Sequence, residues 1–320
     1  MKCRDGQRAR PPDTLPHITM SIQTLEKITV VVAVVVLGVA LSIGATGLPL
    51  LGLAFAIVVT VSAGLDLILR GEARRGSSVE QFILPSALVF GALFFLPLLP
   101  TGTQFVIGLG GFGALTFAVL WTEWALTRQV LRRDYGETVL ALAGYIAAFV
   151  LYGAIYQTRS RSLFSATAIV AVTILLSARH LRLTQVAFPD RTPDPTPTLD
   201  ITTLSVPERL RMSGRFPVVR VTDLTPSGHF RTLAPSWRRT LLYASVTGIG
   251  VGEVTWALNY WPLNGLQGGA FLLAVYYFVT GILTYALHAR LRIRVALEYG
   301  VITLAGIALI TFLGLMPRTN

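Results

Sequence analysis

Charge is what this chain is short of. Only 13% of its 320 residues are charged, against about 25% in soluble domains. Hydrophobic residues make up 53% and the mean hydropathy is +0.63. A water-soluble core cannot absorb that much apolar surface, so an ordinary soluble fold is excluded. Cysteine is nearly missing. Cys3 stands alone, which removes disulfide frameworks, CxxC pairs and cysteine-based metal sites. His17, His180, His229 and His288 show no ligand spacing. There is no HExxH, GxSxG, GxxxxGK[ST] or paired-aspartate motif for a metal–diphosphate either. No catalytic residue, cofactor or metal is therefore expected.

What is present comes in long apolar blocks separated by short Arg-rich joints, the pattern of a polytopic transmembrane helix bundle. The predicted spans are Ile28–Ile43, Leu48–Leu69, Phe82–Leu99, Phe105–Leu126, Val139–Tyr156, Leu163–Ala178, Leu241–Leu258, Gly265–Leu287 and Val295–Met316. The expected fold is all-α with nine spans. Residues 1–26 are polar and read as a disordered cytoplasmic segment. Met20 would serve as well as Met1 for a start, and Lys27 before an apolar run gives the first span a signal-peptide look. Another apolar block follows at once, which favours an uncleaved helix. Residues 27–178 hold spans one to six and 240–320 hold spans seven to nine.

Residues 179–239 form a basic loop between them. Its TPDPTPT run favours extended polyproline geometry. RFPVVRVTDL and HFRTL flank TPSG and could pair as a hairpin. Of the seventeen prolines, only Pro85 is expected inside a span, in the first turn where it is tolerated. The broken helices of many ion-coupled transporters are not signalled.

Orientation follows from the basic residues. With the N-terminus inside, 24 of the 27 Lys and Arg fall in cytoplasmic segments and 3 outside, as the positive-inside rule requires. The C-terminus is then outside, and the expected location is a cell membrane, bacterial and inner. The net charge of +11 has the same origin, and no nucleic-acid motif accompanies it. Expected partners are the bilayer, anionic lipid head groups at the cytoplasmic loops, and a protein contacting residues 179–239. A weak echo relates spans three to five (LPLLPTG, VLRRDYG, LALAG) to spans seven to nine (YWPLNG, LRIRVALEYG, TLAG).

Four acids lie in or beside spans. Asp66 is four residues before Arg70, and Glu298 is four after Arg294, so each has a basic neighbour on its own helix face. Glu123, between Trp121 and Trp124, reads as part of an interfacial aromatic belt. Boundary ion pairing is the expected role of all three. Glu253 differs, having no Lys or Arg at helical spacing. An ionised acid within a span costs about 2.5–3.5 kcal/mol. It should be neutral, bonded to another helix or facing a wet cavity, with Tyr152, Tyr156 or Tyr276 as donors. Trp256 and Asn259 complete the candidate functional set. Ser245, Gly248, Gly252 and Thr255, at steps of 3, 4 and 3, form a small stripe for helix packing, Gly248–Gly252 being a GxxxG match. Tyr277, Gly281, Thr284 and His288 share one face of the eighth span.

The run ExxWALNYWPLNG (Glu253–Gly265), the pair Gly268-Gly269 and ARLRIRVALEYG (Ala289–Gly300) resemble a family of uncharacterised bacterial multi-pass membrane proteins, a domain of unknown function. The resemblance covers the last three spans. It implies a membrane protein and carries no activity. Three functional readings follow, in order. The first is a non-enzymatic scaffold, assembly or sensor protein. The second is a small-solute or proton-coupled transporter using Glu253. The third is a membrane enzyme acting on a lipid-linked substrate, which needs two of Asp66, Glu123 and Glu298 in one pocket.

Overall fold

The computed structural model describes residues 22–42, 47–70, 79–99, 102–157, 162–187, 237–261, 263–287 and 291–315. Among these residues the protein is all-α, with nine helices and no strand. They are α1 Ile22–Leu41, α2 Leu48–Arg70, α3 Glu80–Phe95, α4 Thr103–Thr127, α5 Arg133–Gln157, α6 Ser162–Ala187, α7 Trp237–Leu258, α8 Gly265–Leu287 and α9 Ile293–Leu315. A single 3-10 turn, Leu96–Leu98, extends α3. All nine are long and apolar enough to cross a membrane. At 1.5 Å per residue, twenty residues reach about 30 Å, the thickness of the hydrocarbon core.

Apolar burial drives helices together poorly in lipid, because the tails outside are as apolar as the core. Close approach and polar ties must do the work, and the packing shows both. Helix α5 is central, touching α3, α4, α6 and α8. Helix α7 lies along α6, and α9 leans on α8. The α5–α8 seam is closest where a Cβ on Gly269 would stand 2.6 Å from Gly153 Cα. In the α6–α7 seam a Cβ on Gly248 would meet the Val170 carbonyl oxygen at 3.0 Å, and Gly252 also abuts Val170. Gly281 of α8 receives the ring of Tyr299 from α9.

Several boundaries differ from expectation. Helix α1 starts at Ile22, so residues 22–26 are helical; residues 1–21 lie outside the described set. Helix α6 runs nine residues beyond Ala178. The polar letters that suggested a loop there belong to residues bonded inward, so Arg179–Ala187 is helix rather than loop. Helix α7 begins at Trp237, three residues before the expected boundary. The expected hairpin and the Pro-rich stretch fall outside the described residues. Helix α3 opens at Glu80, which puts Pro85 in its second turn. Pro85 is also not alone within the helices, since Pro49 is the second residue of α2, where no intrahelical donor is lost. The echo between spans is not matched in packing. Helix α3 lies on α5, whereas α7 and α9 share no substantial contact among the described residues.

Candidate functional site

The polar interior is concentrated at one end of the bundle, the end where α2, α4, α6 and α8 finish. Its centre is the last three turns of α6, which carry Arg179, His180 and Arg182. Arg179 is buried and pairs through Nη2 with Oε1 of Glu123 on α4, itself buried. Removing two charges from water is costly, and only mutual contact offsets that cost. One helical step on, Arg182 donates from Nε to Glu80 Oε1 of α3 at 2.9 Å. Its guanidinium also lies 5.2 Å from the ring centre of Trp237, the first residue of α7. Two arginines thus brace α6 against α3, α4 and α7.

Beside this brace a column of tyrosines descends into the bundle. The His180 ring stands 5.5 Å from Tyr145 of α5. Tyr145 contacts Tyr276 and Tyr277 of α8 edge-on at 5.7 and 5.6 Å. Tyr276 in turn meets Tyr152 at 6.1 Å. The hydroxyls of Tyr152 and Tyr145 find threonine partners. Thr173 donates to the Ile169 carbonyl at 2.6 Å, which leaves Tyr152 as donor in the 2.7 Å bond between the two. Thr280 likewise donates to the Tyr276 carbonyl, so Tyr145 donates to Thr280 at 3.3 Å. Arg179, His180, Tyr145 and Tyr276 wall a gap of about 10 Å³, room for about one water. Arg179 Nε is buried without an acceptor among the described residues. This arrangement can hold one small polar molecule and can fix helix positions.

Among the described residues, the opposite end is tied without charge. Asn264 Oδ1 accepts from Gln267 N at 2.9 Å while Gln267 Oε1 accepts from Asn264 N at 3.1 Å. This is a reciprocal cap on α8 of the capping-box kind. Gly265 N donates to Gln157 Oε1 of α5 at 2.9 Å, and Tyr156 donates to the Leu258 carbonyl of α7 at 2.7 Å. The resemblance residues therefore have structural positions here. Gly265 meets Gln157, Gly268 faces the Tyr156 ring, and Gly269 touches α5 backbone.

The candidate set centred on Glu253 is not gathered into one place. Glu253 and Trp256 are exposed on α7, and Asn259 is exposed in the turn just after it. Tyr152 and Tyr276 are fully buried, and the bond of Tyr152 goes to Thr173. Gly248, Gly252 and Thr255 are buried and Ser245 half-buried, on the face toward α6. Glu123 does form an ion pair, its partner being Arg179 of α6, and it is buried with Trp124 beside it. Arg294 and Glu298 are exposed and form no ion pair with each other among the described residues. Asp66 is half-buried, while the Arg70 side chain and His288 lie outside the described set. Sequence reasoning passed over Glu80, Arg179, His180, Arg182 and Tyr145. The i, i+3 spacing of Arg179 and Arg182, continuing an apolar helix, was the available signal.

The fold and these ties define a polytopic α-helical membrane bundle. A family model described as "Protein of unknown function (DUF5656)" matches residues 28–192 and 210–313, and the chain belongs to that family. The stretch left out, 193–209, contains most of the TPDPTPT run. No curated protein and no solved structure matches the chain.

Proposed function

We propose that this is a non-catalytic membrane protein of scaffold or assembly type, set in a cell membrane with its Arg-rich end in the cytoplasm. The observation that carries the reading is how the interior polar groups are used. Glu123 with Arg179, Glu80 with Arg182, Tyr152 with Thr173 and Tyr156 with Leu258 each join one helix to another. The large hollows are apolar and open sideways. One of about 770 Å³ lies between α3, α5 and α6, walled by residues such as Phe82, Phe90, Phe94 and Val172, with Ser86 and Ser165 as its polar members. Such a groove suits lipid tails. The ten arginines from Arg179 to Arg239 would add attraction for anionic head groups at about 1 kcal/mol for each near the surface, or offer a protein partner a contact.

The transporter reading loses its support where Glu253 lies exposed on α7 rather than inside the bundle. The enzyme reading is no better served. Glu298 on α9 has no substantial contact with the helices of Asp66 or Glu123 among the described residues, and neither the gap beside Arg179 nor the 770 Å³ groove is walled by any of the three acids.

Cys3 can be changed to Ser without removing any other thiol, so orientation is directly testable. Tyr260→Cys should react with an impermeant maleimide on intact cells, and Val130→Cys only after lysis; the reverse labelling would overturn the orientation. Purified protein in vesicles should carry no proton flux. A flux abolished by Glu253→Gln would replace the scaffold reading with the transporter.

A further inference from the structure

Helix α7 has two unlike faces. The one toward α6 is small and packed, with Gly248, Gly252 and Thr255 buried. The other carries Leu242, Val246, Ile249 and Trp256 and continues to Tyr260 in the turn after the helix, all exposed by 54–76%, with exposed Glu253 among them. Their spacing is 4, 3, 4, 3, 4, the a/d repeat of a helix seam. Beside the stripe, Gly250 and Ala257 stand seven residues apart, and a Cβ on Gly250 would touch nothing within 4 Å. Room for a second backbone is therefore available along this face.

Glu253 gives the face a requirement. It lies five residues before the end of α7, about 7.5 Å along the axis. Positions 249, 250, 256 and 257 hold Ile, Gly, Trp and Ala, so its own helix supplies no cation at helical spacing. Glu298 has Arg294 one turn away on α9. Among the described residues at the Glu253 end there is no Lys or Arg. Lipid tails offer no hydrogen bond, and a carboxyl left among them is costly.

We infer that this face of α7 is the contact between two copies of the chain, with Glu253 meeting Glu253. A carboxylic acid group carries one O–H donor and one carbonyl acceptor, so it is its own complement. A two-fold axis along the membrane normal sets each residue against its mate and satisfies both carboxyls without any cation. The 3–4 spacing gives the shallow left-handed crossing common between membrane helices. Gly250 and Ala257 let the two backbones close to bonding distance. The contact goes beyond the scaffold reading and stands independently of it.

The full chain with Cys3→Ser, at low protein-to-lipid ratio in phosphatidylcholine vesicles, supplies the test. Ile249→Cys should give a disulfide-linked dimer on mild oxidation, and Val301→Cys, on the exposed face of α9, should not. Counting of labelled copies per vesicle should show dimers that persist in Glu253→Gln, since an amide is also self-complementary. Glu253→Leu should weaken dimerisation by about tenfold, the loss of two interhelical hydrogen bonds. Gly250→Leu should abolish it. Because Glu253→Leu removes a polar group from a lipid-exposed face, misfolding is no escape. Three results would each overturn the inference: a monomer at every dilution, an Ile249→Cys variant that forms no disulfide-linked dimer, or a Glu253→Leu dimer as tight as the parent.

Discussion

The two ends of the bundle solve the same problem with different chemistry. Where α6 finishes, helices are held by arginine–carboxylate pairs, one of them buried. Where α7 turns into α8, they are held by amides, a tyrosine hydroxyl and glycines against backbone. The difference tracks the supply of cations, which the positive-inside rule concentrates on one side. At the Arg-rich end Glu123 and Glu80 find arginine partners within the chain. At the other end Glu253 is exposed on α7 and has no cation at helical spacing on its own helix.

The charged end should be the more fragile to single substitutions. Arg179→Ala leaves Glu123 buried and unpaired, and is expected to cost about 3–5 kcal/mol, read as loss of folded protein in a thermal or detergent unfolding series. Replacing both partners by apolar residues, Glu123→Leu with Arg179→Met, should recover most of that loss. At the neutral end the largest effect should come from Gly269→Val, where a side chain would press on Gly153 backbone; overpacking of this kind costs about 1–3 kcal/mol. Asn264→Ala removes the α8 cap and should cost about 1 kcal/mol in the same assay. Glu253→Gln should change monomer stability by less than about 0.5 kcal/mol. A larger loss there than at Arg179 would reverse the comparison between the ends.

The spans were legible because hydropathy over twenty residues is a strong signal, and Gly265–Leu287 was read to its limits. The end of α6 was misplaced for a physical reason. A fall in hydropathy at Arg179 looks the same whether the helix stops or turns its arginines inward to carboxylates more than fifty residues away. The orientation of Glu253 was in fact written in the chain. Gly248, Gly252 and Thr255 mark one face of α7, and at 3.6 residues per turn Glu253 lies about 120° from it. A packed small face and an inward Glu253 could not both hold. The α6–α7 seam shows which did. The tyrosine column was not legible at all, since its members come from α5 and α8 and nothing local pairs them.

Helix α9 has a consequence of its own. Only 6% of its apolar window is buried, against 44% for α3, α5 and α6. Its grip is the Tyr299 ring seated at Gly281, with Tyr277 and Tyr285 on either side at 5.1 and 5.9 Å. In mechanical terms it is an outrigger carried by one neighbour, α8, among the described residues. When a bilayer thickens or thins, helices answer by tilting. A helix carried by one neighbour can tilt with little effect on the rest of the bundle, so the rim of this protein can conform to the membrane while its braced centre keeps its shape.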